Sequence, residues 1–570
     1  MITNILKKYS VKFAVGCGCA TAALGLSSCS DFLDILPMND VVLENYWTQK
    51  SDVDAVRSSC YVALQSSDAM QRIGIWSELR SDNLFAGANV PNEVNEILKE
   101  NILSTNSYCN WSEIYKCINR CNIVCHYAPQ VQRDDPNYSE AEMRSDVAEM
   151  SALRALCYFY LIRAFRDVPY STEPSIDDTQ NYIKAATPFN AVLDSLITNL
   201  ESVKDQCVRR YQLERVSGSS YTLPDENTSR ITRVAIWAIL SDLYLWKGDW
   251  DNAIKYADMV INYKKEQYEE LLARVGDIKD IDYIDGIPMI LEMPEGSNTC
   301  GHSYNEIFGD GNSFESIFEL KFSHTDNNWV GNYYGSDNTP NGRLKGNELT
   351  FTSMENVITN KNSLFKSTDG RFYESFRASG SAMYIGKYVR NEVSYKTKNI
   401  TNEASLDLQG RVRSSNNANW IFYRLSDMLL IKAEALVERG LDGDFDEAFK
   451  LVNIVNKRAN NLTQTLKSTD YTTSKNEMAN LVMNERRREF MFEGKRWFDL
   501  VRRSRRDGNT TYLVSCVKSK YESKDANAIA IKMADPNIIY FPYAKNELKV
   551  NPLLQQNPAF TNGEDSQFER

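Results

Sequence analysis

At 570 residues, with 42% hydrophobic and 11% aromatic side chains, the chain can bury a large core, and a length of this size ordinarily divides into two lobes. Its net charge of -11 tells against nucleic acid and other polyanions as partners. With three histidines, no HExxH pair and no GxSxG elbow, it lacks the commoner zinc-hydrolase and serine-hydrolase signatures.

In chain order, Lys7, Lys8 and Lys12 precede an apolar run from Phe13 to Leu26 that is too short for a stable bilayer-spanning helix. That is the pattern of a secretory signal peptide, residues 1–28. Leu26, Ser27 and Ser28, directly before Cys29, resemble the lipobox of bacterial lipoproteins, in which the cysteine becomes the acylated first residue. Cys17 and Cys19 compete, but cleavage there leaves only a few apolar residues; the other alternative is ordinary cleavage with a free thiol at Cys29. Buried acyl methylenes contribute about 0.8 kcal/mol each, so several chains hold a soluble body to a membrane without a spanning helix. The expectation is an exported, tethered unit of residues 29–570.

Of twelve cysteines, loss of Cys17 and Cys19 with the signal and acylation of Cys29 leaves nine, an odd number that full disulfide pairing cannot accommodate. Cys109, Cys117, Cys121 and Cys125 recur at spacings of eight, four and four, one face of a helix, beside His126. A straight helix face cannot wrap a tetrahedral ion, and free cysteine packs as a small hydrophobe. A packed stripe is expected, with a metal site or a local disulfide as the alternatives.

Most of the chain reads helical. In "DVAEMSALRALCYFYLIRAFRDVPY", Met150, Leu153, Leu156, Phe159, Tyr160 and Ile162 fall on one apolar stripe, closed by Pro169. In "RVAIWAILSDLYLWKGDWDNAIKYADMVI", the spacing of Trp237, Leu240, Ser241, Tyr244, Gly248, Trp250, Ala253, Ala257 and Val260 follows the tetratricopeptide pattern. Small Ser241 and Ala253 allow two helices to cross closely, and Gly248 ends the first. "GDFDEA" repeats "GDWDNA" in a second copy containing Ala433 and Ala435, and "NWSEIYKCINRCNIV" with the helix of Ala152 forms another pair.

The fold class predicted is mainly α, tetratricopeptide-type helical hairpins forming a superhelical scaffold at about 40–65, 105–265 and 420–505. A loop-rich inserted region with short strands is expected at about 66–104 and 270–420, where Gly, Asn, Asp, Ser and Tyr accumulate. Loops on a rigid scaffold are where binding residues usually sit. Between Arg486 and Arg506 nine Lys or Arg residues interleave with Glu489, Glu493 and Asp499, and Phe490, Trp497 and Leu500 supply an apolar face. This predicts a structural helix with charge pairs rather than a nucleic-acid patch. "GSAMYIGKY" misses the phosphate loop in spacing and in its metal-binding hydroxyl.

Five stretches, "CSDFLDILP", "ALRALCYFYLIRAFRDVPY", "YRLSDMLLIKAEAL", "NERRREFMFEGKRWFDLVRR" and "IIYFPYAKNELKVNPLLQQNP", occur in the order of one family, and together the chain resembles the SusD/RagB lipoproteins. The resemblance implies a non-enzymatic, cell-surface glycan-binding lipoprotein on the outer membrane, anchored through acylated Cys29 and facing the exterior. It also implies a SusC-like TonB-dependent transporter as partner, on which the protein sits as a lid. Asp31 and Asp34 are loosely similar to the acidic signal that directs such lipoproteins to the outer face. A neutral oligosaccharide, such as a fructan or starch-like glucan, is the expected ligand, and the alternative is a peptide, as in the RagB branch. No cofactor and no metal are expected.

A sugar needs a flat aromatic face for its apolar side and planar polar groups for its hydroxyls. The best constellation is "SHTDNNWVGNYYGSDN", with Asn328, Trp329, Tyr333 and Tyr334 in a polar loop, although for Trp329 itself local packing weighs somewhat more than a ligand platform. The second is "WSELRSDNLFAGAN", with Arg80, Asp82, Asn83 and Phe85, where Trp76 reads as core. Tyr304 and Tyr395 are added from loop context.

Overall fold

The computed structural model describes residues 46–561 apart from 177–179, 181, 212–213, 218–219, 223–224, 323–327, 337–340, 352, 380–381, 397–406, 416 and 464. Cys29, Asp31, Asp34 and His324 therefore lie outside the described residues. The chain divides into two units, Met1–Trp47 and Thr48–Arg570.

Among the described residues the longer helices are α1 (Lys50–Gln65), α2 (Ser112–Asp134), α3 (Glu140–Phe165), α4 (Phe189–Val203), α5 (Arg233–Lys247), α6 (Trp250–Val275), α7 (Leu425–Arg439), α8 (Asp444–Ala459), α9 (Lys475–Glu489) and α10 (Arg496–Asp507). They pack as hairpins, α2 on α3, α5 on α6 and α7 on α8, with α6 also packed on α7. The tetratricopeptide spacing acts as expected. Thr232 caps α5, Gly248 at φ 81° supplies the left-handed turn that ends it, and Asp249 caps α6. Across that crossing the Ser241 hydroxyl donates to the Ala253 carbonyl at 2.8 Å. Tyr244 stacks on Tyr256 at 5.8 Å, and both phenols donate to Glu201.

Two helical readings change. From Ser145 to Phe165 almost every residue of α3 is buried, Asp146 and Arg154 included, so it is an interior helix rather than a one-sided stripe. Cys117 and Cys121 do lie on the buried side of α2, with Cys125 half-buried, but Cys109 sits in a 3-10 turn before the helix begins at Ser112. Cys157 of α3 completes the packing, its Sγ 3.6 Å from that of Cys117.

Most of the short antiparallel strands lie between α6 and α7, and one, Leu84–Ala86, precedes α2. Leu84–Ala86, Leu344–Gly346, Ala382–Ile385 and Phe376–Ser379 form one sheet in that order. Trp420–Arg424 pairs with Ser316–Leu320, both buried throughout, and leads directly into α7.

The arginine-rich segment is a buried ion network. Arg424 meets Glu489 at 2.5 Å and Glu493 at 2.9 Å, Arg371 meets Asp369 and Glu485 at 2.7 Å, and Lys387 meets Glu493 at 2.8 Å. Arg496 is held by Asp82, Arg502 by Glu434 and Arg486 by Asp499, which makes the segment structural, as its interleaved acids predict.

Candidate ligand-binding site

The structure corrects most of the sites read from sequence. Trp329 is 1% exposed, its ring lying among Tyr333, Tyr334 and Trp420 at 5.1 to 5.7 Å and against the backbone of Gly74. Tyr333 shares a hydrogen bond with Tyr108, Tyr334 donates to the Phe492 carbonyl, and Asn328 donates to the Ala418 carbonyl at 2.7 Å. Arg80 is fully buried, paired with Glu100 at 2.6 Å and donating to the carbonyls of Ile538 and Ile539. Asp82 is buried too; burial opposes its ionisation, but Arg487 and Arg496 hold its carboxyl well below the usual range. Asn83 bonds Glu78 and Arg487, Tyr304 donates to the carbonyls of Gly386 and Arg390, and Tyr395 donates to Glu292. Of the ten, Phe85 alone is half-exposed, on the strand Leu84–Ala86. For the polar residues among them the physical reason is shared: each is buried with its polar groups engaged by internal partners, while the Trp329 ring is enclosed by its neighbours, so no face is left for a sugar.

A different surface is open. Where α2, the 169–184 loop and the short helix Lys545–Val550 meet, a groove of about 680 Å³ forms. Its floor is aromatic, with Trp111 and Tyr158 buried and Tyr115 half-buried. Tyr115 donates to the Pro169 carbonyl at 2.6 Å, and Tyr158 both donates to and accepts from the Ser171 backbone at 2.9 Å, so the loop is strapped onto the helices. Asn119 makes a reciprocal pair with Ser175, at 3.0 and 2.7 Å, and Asn122 donates to the carbonyls of Ser171 and Glu173. The outer rim is Tyr182, 50% exposed, with exposed Ile183 and Val550; Asn551 closes the rim by donating to the Lys184 carbonyl at 2.8 Å. Glu547 faces inward, its carboxyl pushed up by burial and drawn back by a hydrogen bond from Trp111.

A groove with aromatic walls and one half-buried carboxyl can clamp the apolar face of a small polar ligand, while the amides of Asn119 and Asn122, spent on the backbone of residues 171–175, hold its shape. Composition missed it because its walls come from three distant segments. The usable signal is the loop "PYSTEPSI", rich in Pro and Ser, directly after the longest apolar helix. Among the described residues no group of three or more His, Cys, Asp or Glu is placed to hold a metal ion.

Helical hairpins carrying a loop-rich region and an aromatic groove define a helical-repeat binding protein. The profile of the SusD family matches residues 314–560. A SusD-like protein of Formosa agariphila is 25% identical over 494 residues, 84% of this chain and 88% of the relative. A SusD-like protein of Bacteroides ovatus is 23% identical, over 85% of this chain and 81% of the relative. Among solved structures, a SusD superfamily protein of Bacteroides vulgatus superposes with a TM-score of 0.63 over 90% of this chain and all of its own, at 18% identity. Another, from the same species and provisionally described as sugar binding, reaches 0.62 over 90% and 99%, at 20% identity. The chain is thus similar to SusD-like proteins along most of its length, in keeping with the resemblance its five motifs carry. Members of this family are binding proteins rather than enzymes. No helix among the described residues is long and apolar enough to cross a membrane.

Proposed function

We propose that the protein captures an oligosaccharide at the cell surface and passes it to a SusC-like TonB-dependent transporter, held to the outer membrane through acylated Cys29. Residues 29–570 then act as one SusD-like unit. The observation that carries the ligand reading is the groove, which sets Trp111, Tyr115, Tyr158 and Tyr182 around amides held by Ser171, Glu173 and Ser175. An ordered site loses little entropy on binding. Its charged rim is balanced, Lys116 and Lys184 against Glu173 and Glu547, which favours a neutral glycan.

Tyr182 is the residue to change, because its exposure makes it dispensable for folding. Tyr182→Ala removes one stacking face, about 1 to 3 kcal/mol by analogy with bases on aromatic rings, or roughly ten- to a hundredfold in affinity. Isothermal titration of neutral oligosaccharides, first screened by affinity gel, measures it; unchanged affinity in the variant removes the groove from the reading. The second reading, capture of a peptide, is favoured by the apolar rim residues Ile183, Val550 and nearby Leu553. It predicts binding of peptides and of no glycan in the same screen.

A further inference from the structure

A second pocket, of about 270 Å³, lies where the end of α3 meets α10 and the 536–540 segment. Two guanidinium groups, Arg166 and Arg505, line it together with Thr510, Asn537 and Tyr540. The surroundings of Arg505 differ from those of the other basic residues in its own stretch. Along the same stretch Lys495, Arg496, Arg502, Arg503 and Arg506 each meet a carboxylate. For Arg505 no carboxylate stands within ion-pair distance among the described residues; its partners are neutral. It stacks on the Phe189 ring with its central carbon 3.6 Å from the centroid, and donates to the Tyr540 phenol at 2.8 Å and to Oδ1 of the Asn190 side chain at 3.2 Å.

Across the pocket Arg166 follows the last turn of α3 with φ 71°. Its Nε meets Asp167 at 2.8 Å and its Nη1 donates to Asn537 at 2.7 Å. Asp167 is engaged on its other oxygen by the Phe189 amide, and Asp507 by Arg503 and Arg506. The carboxyl of Asp535 bonds the Asn537 backbone and side chain. A guanidinium carries five N–H donors, and each of these two spends only two of them in the bonds above. Both residues line the same partly sheltered pocket, Arg505 held by stacking and neutral acceptors and Arg166 by Asp167 and Asn537, and charge-assisted, bidentate bonds are strongest in such a space.

We propose that this pocket binds an oxyanion, a sulfate, phosphate or carboxylate group, between Arg166 and Arg505. The ligand supplies the counter-charge that the chain withholds from Arg505. The proposal shares no lining residue with the glycan groove, so failure of Tyr182→Ala to weaken glycan binding leaves it untouched.

The test is titration of the full mature chain with sodium sulfate and with inorganic phosphate, at constant ionic strength set by chloride. Saturable one-site binding is expected, weakened at least tenfold by Arg505→Gln and by Arg166→Gln, with no change for Lys450→Gln, an exposed lysine carrying the same change in charge. Because Arg505→Gln also loses its stack on Phe189, melting temperatures without the anion are compared; if that variant unfolds, Arg166→Gln decides. Non-saturable binding, or equal binding by all three variants, overturns the proposal. A monosulfated disaccharide beside its unsulfated parent separates the sources. Tighter binding than inorganic sulfate identifies a saccharide ester, and equal binding identifies the free anion.

Discussion

Gly74 tests the placement of Trp329 most directly. A Cβ added there would stand 2.0 Å from Cζ2 and 2.4 Å from Cε2 of the Trp329 ring, whereas real contacts are not shorter than 3.0 Å. The backbone gives no relief or excuse: Gly74 is ordinary right-handed helix at φ -65°, so alanine suffers no strain and gains about 1 kcal/mol of helix propensity. The ring cannot retreat freely, being held by Tyr333, Tyr334 and Trp420. Overpacking of a well-filled core costs about 1 to 3 kcal/mol, and a displacement of more than an ångström belongs at the upper end. Gly74→Ala is therefore expected to destabilise by about 2 kcal/mol net. Trp329→Ala leaves a cavity and costs about 3 to 5 kcal/mol. In that background the added methyl fills space, so Gly74→Ala should become stabilising by about 1 kcal/mol. The sign reversal is read from urea unfolding of the four proteins in a double-mutant cycle. If Gly74→Ala has the same effect with and without Trp329, the packing described here is refuted.

Two further outcomes are expected. Burial pushes the carboxyl of Glu78 up to about 7, against hydrogen bonds from Asn83 and Ser81. The folded chain then keeps a proton between 4.5 and 7 that the unfolded chain releases, so the stability this group contributes is complete below pH 4.5 and is lost as pH rises to 7. The loss is about 1.4 kcal/mol per pH unit, about 3 kcal/mol in all; unfolding midpoints of Glu78→Gln should lack that decline, and an unchanged pH profile contradicts it. Cys29→Ala should release a folded protein into the medium, since acylation is the proposed anchor; continued fractionation with outer membrane, in cells lacking the partner transporter, rules the anchor out.

What could be read from the sequence was whatever a local spacing encodes. Ser241 and Ala253 are twelve residues apart and must meet if the two helices cross, and Gly248 must end the first because only a left-handed residue turns the chain there. The acids among the arginines of α9 and α10 likewise announce charge pairing, though several partners, Asp82 and Glu434 among them, come from elsewhere in the chain. Trp329 fails the same logic. Its setting of Gly and Asn reads as an exposed loop, and nothing nearby reveals that Gly74, 255 residues earlier, has left a slot for the ring. Arg80 and Asp82 fail for the reverse reason: polar groups in a loop suggest solvent, while their counter-charges Glu100, Arg487 and Arg496 are supplied by the fold.

Those buried ions also bear on how the loops come to be held. A buried pair contributes little net stability beside well-packed apolar residues, but removing one partner leaves an unpaired charge at about 3 to 5 kcal/mol. Such a network therefore penalises misplacement more than it rewards assembly. Here it spans elements that must keep register: Arg371 and Lys387 come from the strand-rich region, Arg424 from the strand entering α7, Arg458 from α8, and Glu485, Glu489 and Glu493 from α9 and the turn after it. A slip of the inserted region along the helices would strand Arg371 from Glu485 and Glu489, and Lys387 from Glu493, at once. That penalty fixes the footing of the strand-rich region on the helices without calling on the tips of its loops.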